Sequence, residues 1–319
     1  MAREVAAGGI GAAMVDSLFN PAEVIKVRMQ IESQRPTSSI SAPSTASSSS
    51  RQYVSFLQSG AKIYADDGVV GLFQPGLVAT WFRALVYTGL RIGLYPSIKG
   101  MLMTEEEANK PPLFKKIMAG ALTGAIGSAI ANPTDLVRIR FQGESGTIVD
   151  GKYTTGLMRG SPPSYPHTFA AFAGIARTEG VAAGLYRGVD ACVARAVFLS
   201  GSQLAAYDHT KELMRESGVM SEGPALHFFA SACSAIIAQT VAMPADTIKT
   251  RVMNDRSSSS SSKRQYKSMV DCFVKTVKSE GAIGLFRGYI PACARQCPVM
   301  IVQMPLIEQL RGLMGLGYF

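Results

Sequence analysis

Acids and bases recur in one register three times along this 319-residue chain. Proline is followed by an acid two residues on and by bases five and seven residues on. The copies are Pro21, Glu23, Lys26 and Arg28; Pro133, Asp135, Arg138 and Arg140; and Pro244, Asp246, Lys249 and Arg251. The prolines stand 112 and 111 residues apart, a fixed period that must be read before anything else. An acid and a base three residues apart share a helical face, and proline removes a backbone donor and bends a helix. Pro21, Pro133 and Pro244 therefore predict three kinked helices whose lower halves turn inward and close a ring of charges. A single copy would read as an amphipathic helix end with solvated charges; three in register would not.

A second set of charges has the same symmetry. Arg83, Arg195 and Arg295 each follow a glycine, Gly76, Gly188 or Gly288, by seven residues, which puts them at one depth on three apolar helices. Tyr87 and Arg91 follow Arg83 at four-residue steps and extend its face. An arginine inside a membrane helix costs about 2.5 kcal/mol or more and is generally kept for a pathway or a ligand. The competing reading is snorkelling, or a structural pair with Asp190 or another acid. Three guanidiniums around an aqueous cavity repel cations and suit carboxylate or phosphate, which each fork binds bidentately; a small anion is the expected substrate. Asp16, five residues before Pro21, has Ser128 and Gln239 at the equivalent places. With no partner in the repeat pattern, it is the candidate for taking up and releasing a proton. The alternatives are a structural hydrogen bond or a pair with a cavity arginine.

These residues need long helices to hold them. Ile117 to Thr134 and Ala225 to Ala245 contain no charged residue, and runs of about 18–20 such residues can cross a bilayer. The mean hydropathy of +0.15 is low for a membrane protein, as polar loops and a wet interior would make it. The order of helix, loop, short amphipathic stretch, acid-glycine turn and second helix occurs three times, predicting an all-α membrane protein with six transmembrane helices. Its repeats are placed at 1–105, 106–218 and 219–319, within one integrated domain, with disordered loops at 33–50 and 257–264. Gly120, Gly124 and Ser128 suggest close helix approach in lipid. Val5 to Asn20, interrupted by Asp16 and followed directly by the first motif, reads as a retained helix rather than a cleaved signal. Lys263, Arg264, Lys267, Lys275 and Lys278 lie in a loop within a repeat, whereas Glu105 to Glu107 and Glu212, Glu216 and Glu222 lie between repeats. That asymmetry puts the basic loops on one side and both termini on the other.

Other classes fit poorly. The formal charge of +9 could suggest nucleic acid, but no stretch interleaves clustered bases with stacking aromatics. Five cysteines without paired spacing suggest neither disulfides nor a metal site, and no cofactor is implied. No nucleophile stands with a base, so an enzyme is not expected.

With these motifs in place, the chain resembles the mitochondrial carrier family along essentially its full length. The family motif is Pro-x-Asp/Glu-x-x-Lys/Arg-x-Lys/Arg, followed after a loop by Asp/Glu-Gly, an aromatic, a base and glycine. The first copy departs in its second half, which reads Phe73-Gln74-Pro75-Gly76. The resemblance implies a monomeric, pseudo-threefold, six-helix barrel with short matrix helices in the mitochondrial inner membrane. It would be multi-pass with termini toward the intermembrane space, surrounded by inner-membrane lipids including cardiolipin, and open alternately to either side. It also implies a matrix gate pairing Glu23 with Arg138, Asp135 with Lys249 and Asp246 with Lys26, braced by Gln30 and Gln142. Met253 stands where a third brace would be. A cytosolic gate is implied in Asp208 with Arg311 and Glu308 with Lys99, a pattern that does not assign Lys211. An arginine on every even helix is similar to the oxoglutarate, dicarboxylate and uncoupling carriers, and Asp16 matches an acid of uncoupling proteins. Ala196 lacks the polar character common in keto-acid carriers. Dicarboxylate-type anion exchange is the first expectation, and an uncoupling-type proton or anion carrier is the alternative.

Overall fold

The structure, a computed structural model, describes residues 2–32, 53, 55–102, 112–216, 224–255 and 264–313. The serine-rich tracts 33–50 and 257–263, the glutamates 105–107 and the expected boundaries between repeats lie outside the described residues. Each repeat pairs long helices. In the first, α1 (Ala2–Leu18) and α2 (Asn20–Glu32) lead through α3 (Phe56–Phe73) to α4 (Leu77–Leu102). The second has α5 (Leu113–Glu144), a two-stranded hairpin of β1 (Ile148–Val149) and β2 (Lys152–Tyr153), α6 (Thr168–Thr178) and α7 (Val189–Glu216). The third has α8 (Pro224–Asn254), α9 (Met269–Glu280) and α10 (Tyr289–Leu313). Contacts run α1 to α4, α4 to α5, α5 to α7, α7 to α8, α8 to α10 and α10 back to α1. The long helices thus close a ring with threefold pseudosymmetry.

The prolines differ in effect. Pro133 and Pro244 lie inside unbroken helices. Pro21 follows a true break at Phe19 and sits in the first turn of α2, where its missing N–H would have had no intrahelical partner. The first expected kink is therefore a helix start. Glycines in the left-handed region follow α6 at Gly180 (φ 85°) and α9 at Gly281 (φ 73°), and the matching Gly68 (φ 67°) kinks α3 from within. The hairpin, which the repeat pattern does not predict, turns through Asp150 (φ 51°) and Gly151 (φ 73°), the pair of positive angles that a tight two-residue hairpin turn requires.

Polarity is inverted relative to a water-soluble bundle. On α5, Leu122, Ile126 and Ile130 face outward, 41–48% exposed, while Thr123, Asn132, Asp135 and Arg138 on the same helix are at most 5% exposed. No single helix among the described residues is long and apolar enough to cross a membrane; one pair bent by 41°, Phe56–Phe73 with Leu77–Arg91, meets both requirements together. Length is not the shortfall, because 26 residues of α4 reach about 39 Å at 1.5 Å each, beyond a hydrocarbon core of about 30 Å. Glycine, serine and inward charge keep the hydropathy low. Of the small residues expected at helix crossings, Gly124 sits against Ala196, Ser200 and Tyr87, while a Cβ at Gly120 would meet no atom within 4 Å among the described residues. Gly127 is the other α5 glycine against Tyr87.

Candidate anion-binding cleft

At the proline end the ring holds a cleft with Glu23, Asp135 and Asp246 among its walls. Each acid meets a base from another repeat. Lys249 Nζ donates to Asp135 Oδ2 at 2.7 Å, Lys26 pairs with Asp246, and Arg138 Nη2 stands 4.0 Å from Glu23. These are the partners that the family resemblance implies. Each acid also meets an arginine from an even helix. Arg83 pairs with Asp135, Arg195 Nε donates to Asp246 at 2.7 Å, and Arg295 Nε is 3.2 Å from Glu23. Every motif acid is thus shared between a base on an odd helix and an arginine on an even one.

The local fold explains this convergence. Gly76, Gly188 and Gly288 open the even helices with φ of 69°, 74° and 79°. A Cβ at Gly76 would lie 3.1 Å from the Arg138 carbonyl oxygen, and one at Gly288 would lie 3.3 Å from Lys26. With no side chain, each even helix starts hard against the odd helix of the next repeat, and its arginine seven residues on reaches that repeat's acid. A β-carbon would be strained there as well as crowded.

Asp16, with no partner in the repeat pattern, pairs with a cavity arginine, one of the alternatives open for it: Arg295 Nη2 donates to its Oδ1 at 2.5 Å. Asp190, the other acid considered for an arginine, instead accepts from its own helix at Ala191 N. Tyr87 lies under Arg83, with the guanidinium carbon 5.3 Å from the ring centroid. Arg91 is exposed and does not line the cleft; the two four-residue steps that carry it from Arg83 climb away from the proline end. Gln30 accepts from Thr250 at 2.8 Å and donates to Thr247 at 3.3 Å, and Gln142 donates to Asn20 at 3.2 Å. Both glutamines tie neighbouring odd helices beside the charge pairs. At the opposite end Lys99 and Lys211 are partly buried, while the side chains of Asp208, Glu308 and Arg311 lie outside the described residues.

Two sets of residues escaped the sequence reading. The second base of each motif has its own acid outside the cleft: Arg28 with Asp67 at 3.3 Å, Arg140 with Glu179 at 2.5 Å, and Arg251 with Glu280 at 2.8 Å. The recurring acid-glycine turns were the available signal. The second set is Asn20 and Asn132, each just before its proline. Asn20 Nδ2 donates to the carbonyls of Phe73 and Pro75 at 2.7 and 3.3 Å, and Asn132 Nδ2 to those of Leu185 and Arg187 at 2.9 and 3.3 Å. Met243 occupies the third place, and there Thr247 Oγ1 donates to the Leu285 carbonyl at 2.7 Å. The matching asparagines were visible, but their far partners were not.

Outside the helical ring, burial raises the proton affinity of Asp67, but the Thr155 and Thr147 hydroxyls, then Arg28, outweigh it and hold this carboxyl below its ordinary range. Burial likewise pushes the Cys272 thiol up to about 11, so it stays protonated and unreactive near neutral pH.

The profile described as mitochondrial carrier protein matches residues 1–106, 109–218 and 221–317. Mitochondrial uncoupling protein 5 of Arabidopsis thaliana is 35% identical over 316 residues, covering 97% of this chain and 96% of its own. Mitochondrial uncoupling protein 4 of the same plant is 33% identical, covering 96% of each. The mitochondrial oxaloacetate transport protein of Saccharomyces cerevisiae is 32% identical, covering 95% of this chain and 87% of its own.

Proposed function

The chain belongs to the mitochondrial carrier family and is a transporter rather than an enzyme, and from that premise we propose that it exchanges small dicarboxylate-type anions across the mitochondrial inner membrane. The observation that carries this reading is the convergence of Arg83, Arg195 and Arg295, one from each repeat, on one cleft. Each rests on the acid of the next repeat. An entering anion competes for those guanidiniums. As it takes a fork, the motif acid loses one of its two cations and the ring of cross-repeat pairs weakens. Differential affinity of this kind lets a ligand shift a two-state equilibrium. A relative named for oxaloacetate transport agrees with a small carboxylate. Asp16, the residue that suggested proton coupling, is neutralised by Arg295, so the geometry gives no separate support to an uncoupling function.

Reconstituted Arg83→Ala, Arg195→Ala and Arg295→Ala should each abolish uptake of labelled malate while remaining folded, and lysine at the same sites should restore only part of it, since an ammonium lacks the fork. Wild-type uptake in any alanine variant removes that arginine from the site. The proline end faces the matrix in this reading, with both termini toward the intermembrane space, and the carrier acts as a monomer among cardiolipin-containing lipids. Protease added to mitoplasts should spare the serine tract around Ser257 and cut near Glu105 to Glu107; the reverse pattern contradicts the orientation.

A further inference from the structure

We propose that Arg138 is a direct ligand of the transported anion, forming a carboxylate subsite at the proline end of the ring in addition to its pairing across repeats. This rests on the anion-carrier reading above. The three acid–base pairs are not equivalent. Two are Asp with Lys at close contact, whereas the third is Glu23 with Arg138 at 4.0 Å. Glu23 is drawn elsewhere: Arg295 Nε lies 3.2 Å away and Lys26 Nζ 3.8 Å away. One carboxylate therefore faces three cations, while Asp135 and Asp246 face two each.

Arg138 is only 4% exposed, yet its Nε and Nη2 have no hydrogen-bond partner. These two nitrogens form one edge of the guanidinium, the edge that receives a carboxylate through two parallel bonds. Leaving such donors buried and unpaired is costly, and a carboxylate in the cleft satisfies both at once. The charge balance agrees. Among the described residues of the cleft and its first partners, Lys26, Arg83, Arg138, Arg195, Lys249 and Arg295 face only Glu23, Asp135, Asp246 and Asp16. A surplus of two positive charges in a low-dielectric site matches a dianion. One carboxylate at Arg138 and the other at the even-helix arginines would span it.

Lysine occupies the equivalent places 26 and 249, so a purely gating role tolerates lysine at 138, whereas a forked ligand does not. The test is the concentration dependence of labelled succinate uptake by the full chain in liposomes, with thermal unfolding of the purified protein with and without succinate. Arg138→Lys is expected to raise KM for succinate about tenfold, with a smaller effect on kcat. It should also lose most of the thermal shift given by succinate while unfolding near the wild-type temperature without it. A wild-type KM and thermal shift in that variant overturn the proposal and leave the carrier reading standing; a loss confined to kcat does the same. Should Arg138→Lys not fold, Arg138→Gln is judged by the same two readouts. A wild type that neither takes up nor is stabilised by any dicarboxylate overturns the anion-carrier reading and this proposal together.

Discussion

The cleft works because each motif acid in it holds more than one cation. Asp135 holds Arg83 and Lys249, and Asp246 holds Arg195 and Lys26, so removing one side chain leaves several buried charges unbalanced. Removal of one partner of a buried pair costs about 3–5 kcal/mol. The same logic applies outside the cleft at Asp67, which gathers Arg28, the Thr147 N–H at 3.0 Å and hydroxyl at 2.9 Å, and the Thr155 hydroxyl. Its lowered proton affinity contributes stability above the ordinary aspartate value of about 3.9, and that contribution is lost as pH falls through the still lower folded value. The unfolding temperature of wild type should therefore drop more steeply than that of Asp67→Asn between about pH 5 and pH 3; parallel curves would show that Asp67 contributes no such linkage. At this scale the register of the motifs gave a ring of charges, and the family resemblance paired odd helix with odd helix. It could not reveal the second partner of each acid, because that depends on how closely Gly76, Gly188 and Gly288 let the even helices approach. Arg91 lies away from the cleft for a related reason: four-residue spacing gives a face of a helix but not its height against the neighbouring one.

Each repeat fastens the start of its even helix to its odd helix. Asn20 and Asn132 do this through paired carbonyls, and Thr247 does it where Met243 has replaced the asparagine. Replacing Asn132 with leucine leaves the carbonyls of Leu185 and Arg187 without their donor, at a cost of about 1–3 kcal/mol. The variant should unfold several degrees lower, and the equivalent Met243→Leu change should have a smaller effect; equal loss from both would contradict a bonding role for Asn132. The first repeat shows a different adaptation. Arg187 crosses to the third repeat, donating to Asp255 at 2.6 Å and to the carbonyls of Val252 and Tyr266 at 2.9 Å each. Its counterpart in the first repeat is Gln74. The boundary there is tied instead by Asp67 to Thr147 and Thr155, flanking the β-hairpin. The missing base was legible in the sequence; its replacement was not, since Thr147 and Thr155 belong to a loop with no helical or repeat pattern to fix their position.

Across the molecule, three repeats of one motif become a ring in which every motif acid and every cleft arginine joins one repeat to the next. The helical order and threefold period could be read directly, because proline, acid and base recur at nearly constant spacing. Hydropathy was a poorer guide: inward-facing charge and small residues dilute the apolar face, and the outward rows of Leu122, Ile126 and Ile130 emerge only when the helices are placed. A ring held by charges that an anion can compete for should exchange one anion for another. The most direct test is uptake of labelled succinate into liposomes containing the purified chain, with and without unlabelled succinate inside. Saturable uptake that depends on internal succinate is predicted, and it should disappear with Arg83→Ala. Uptake that is absent under both conditions, or that persists unchanged without the arginine, would contradict the account.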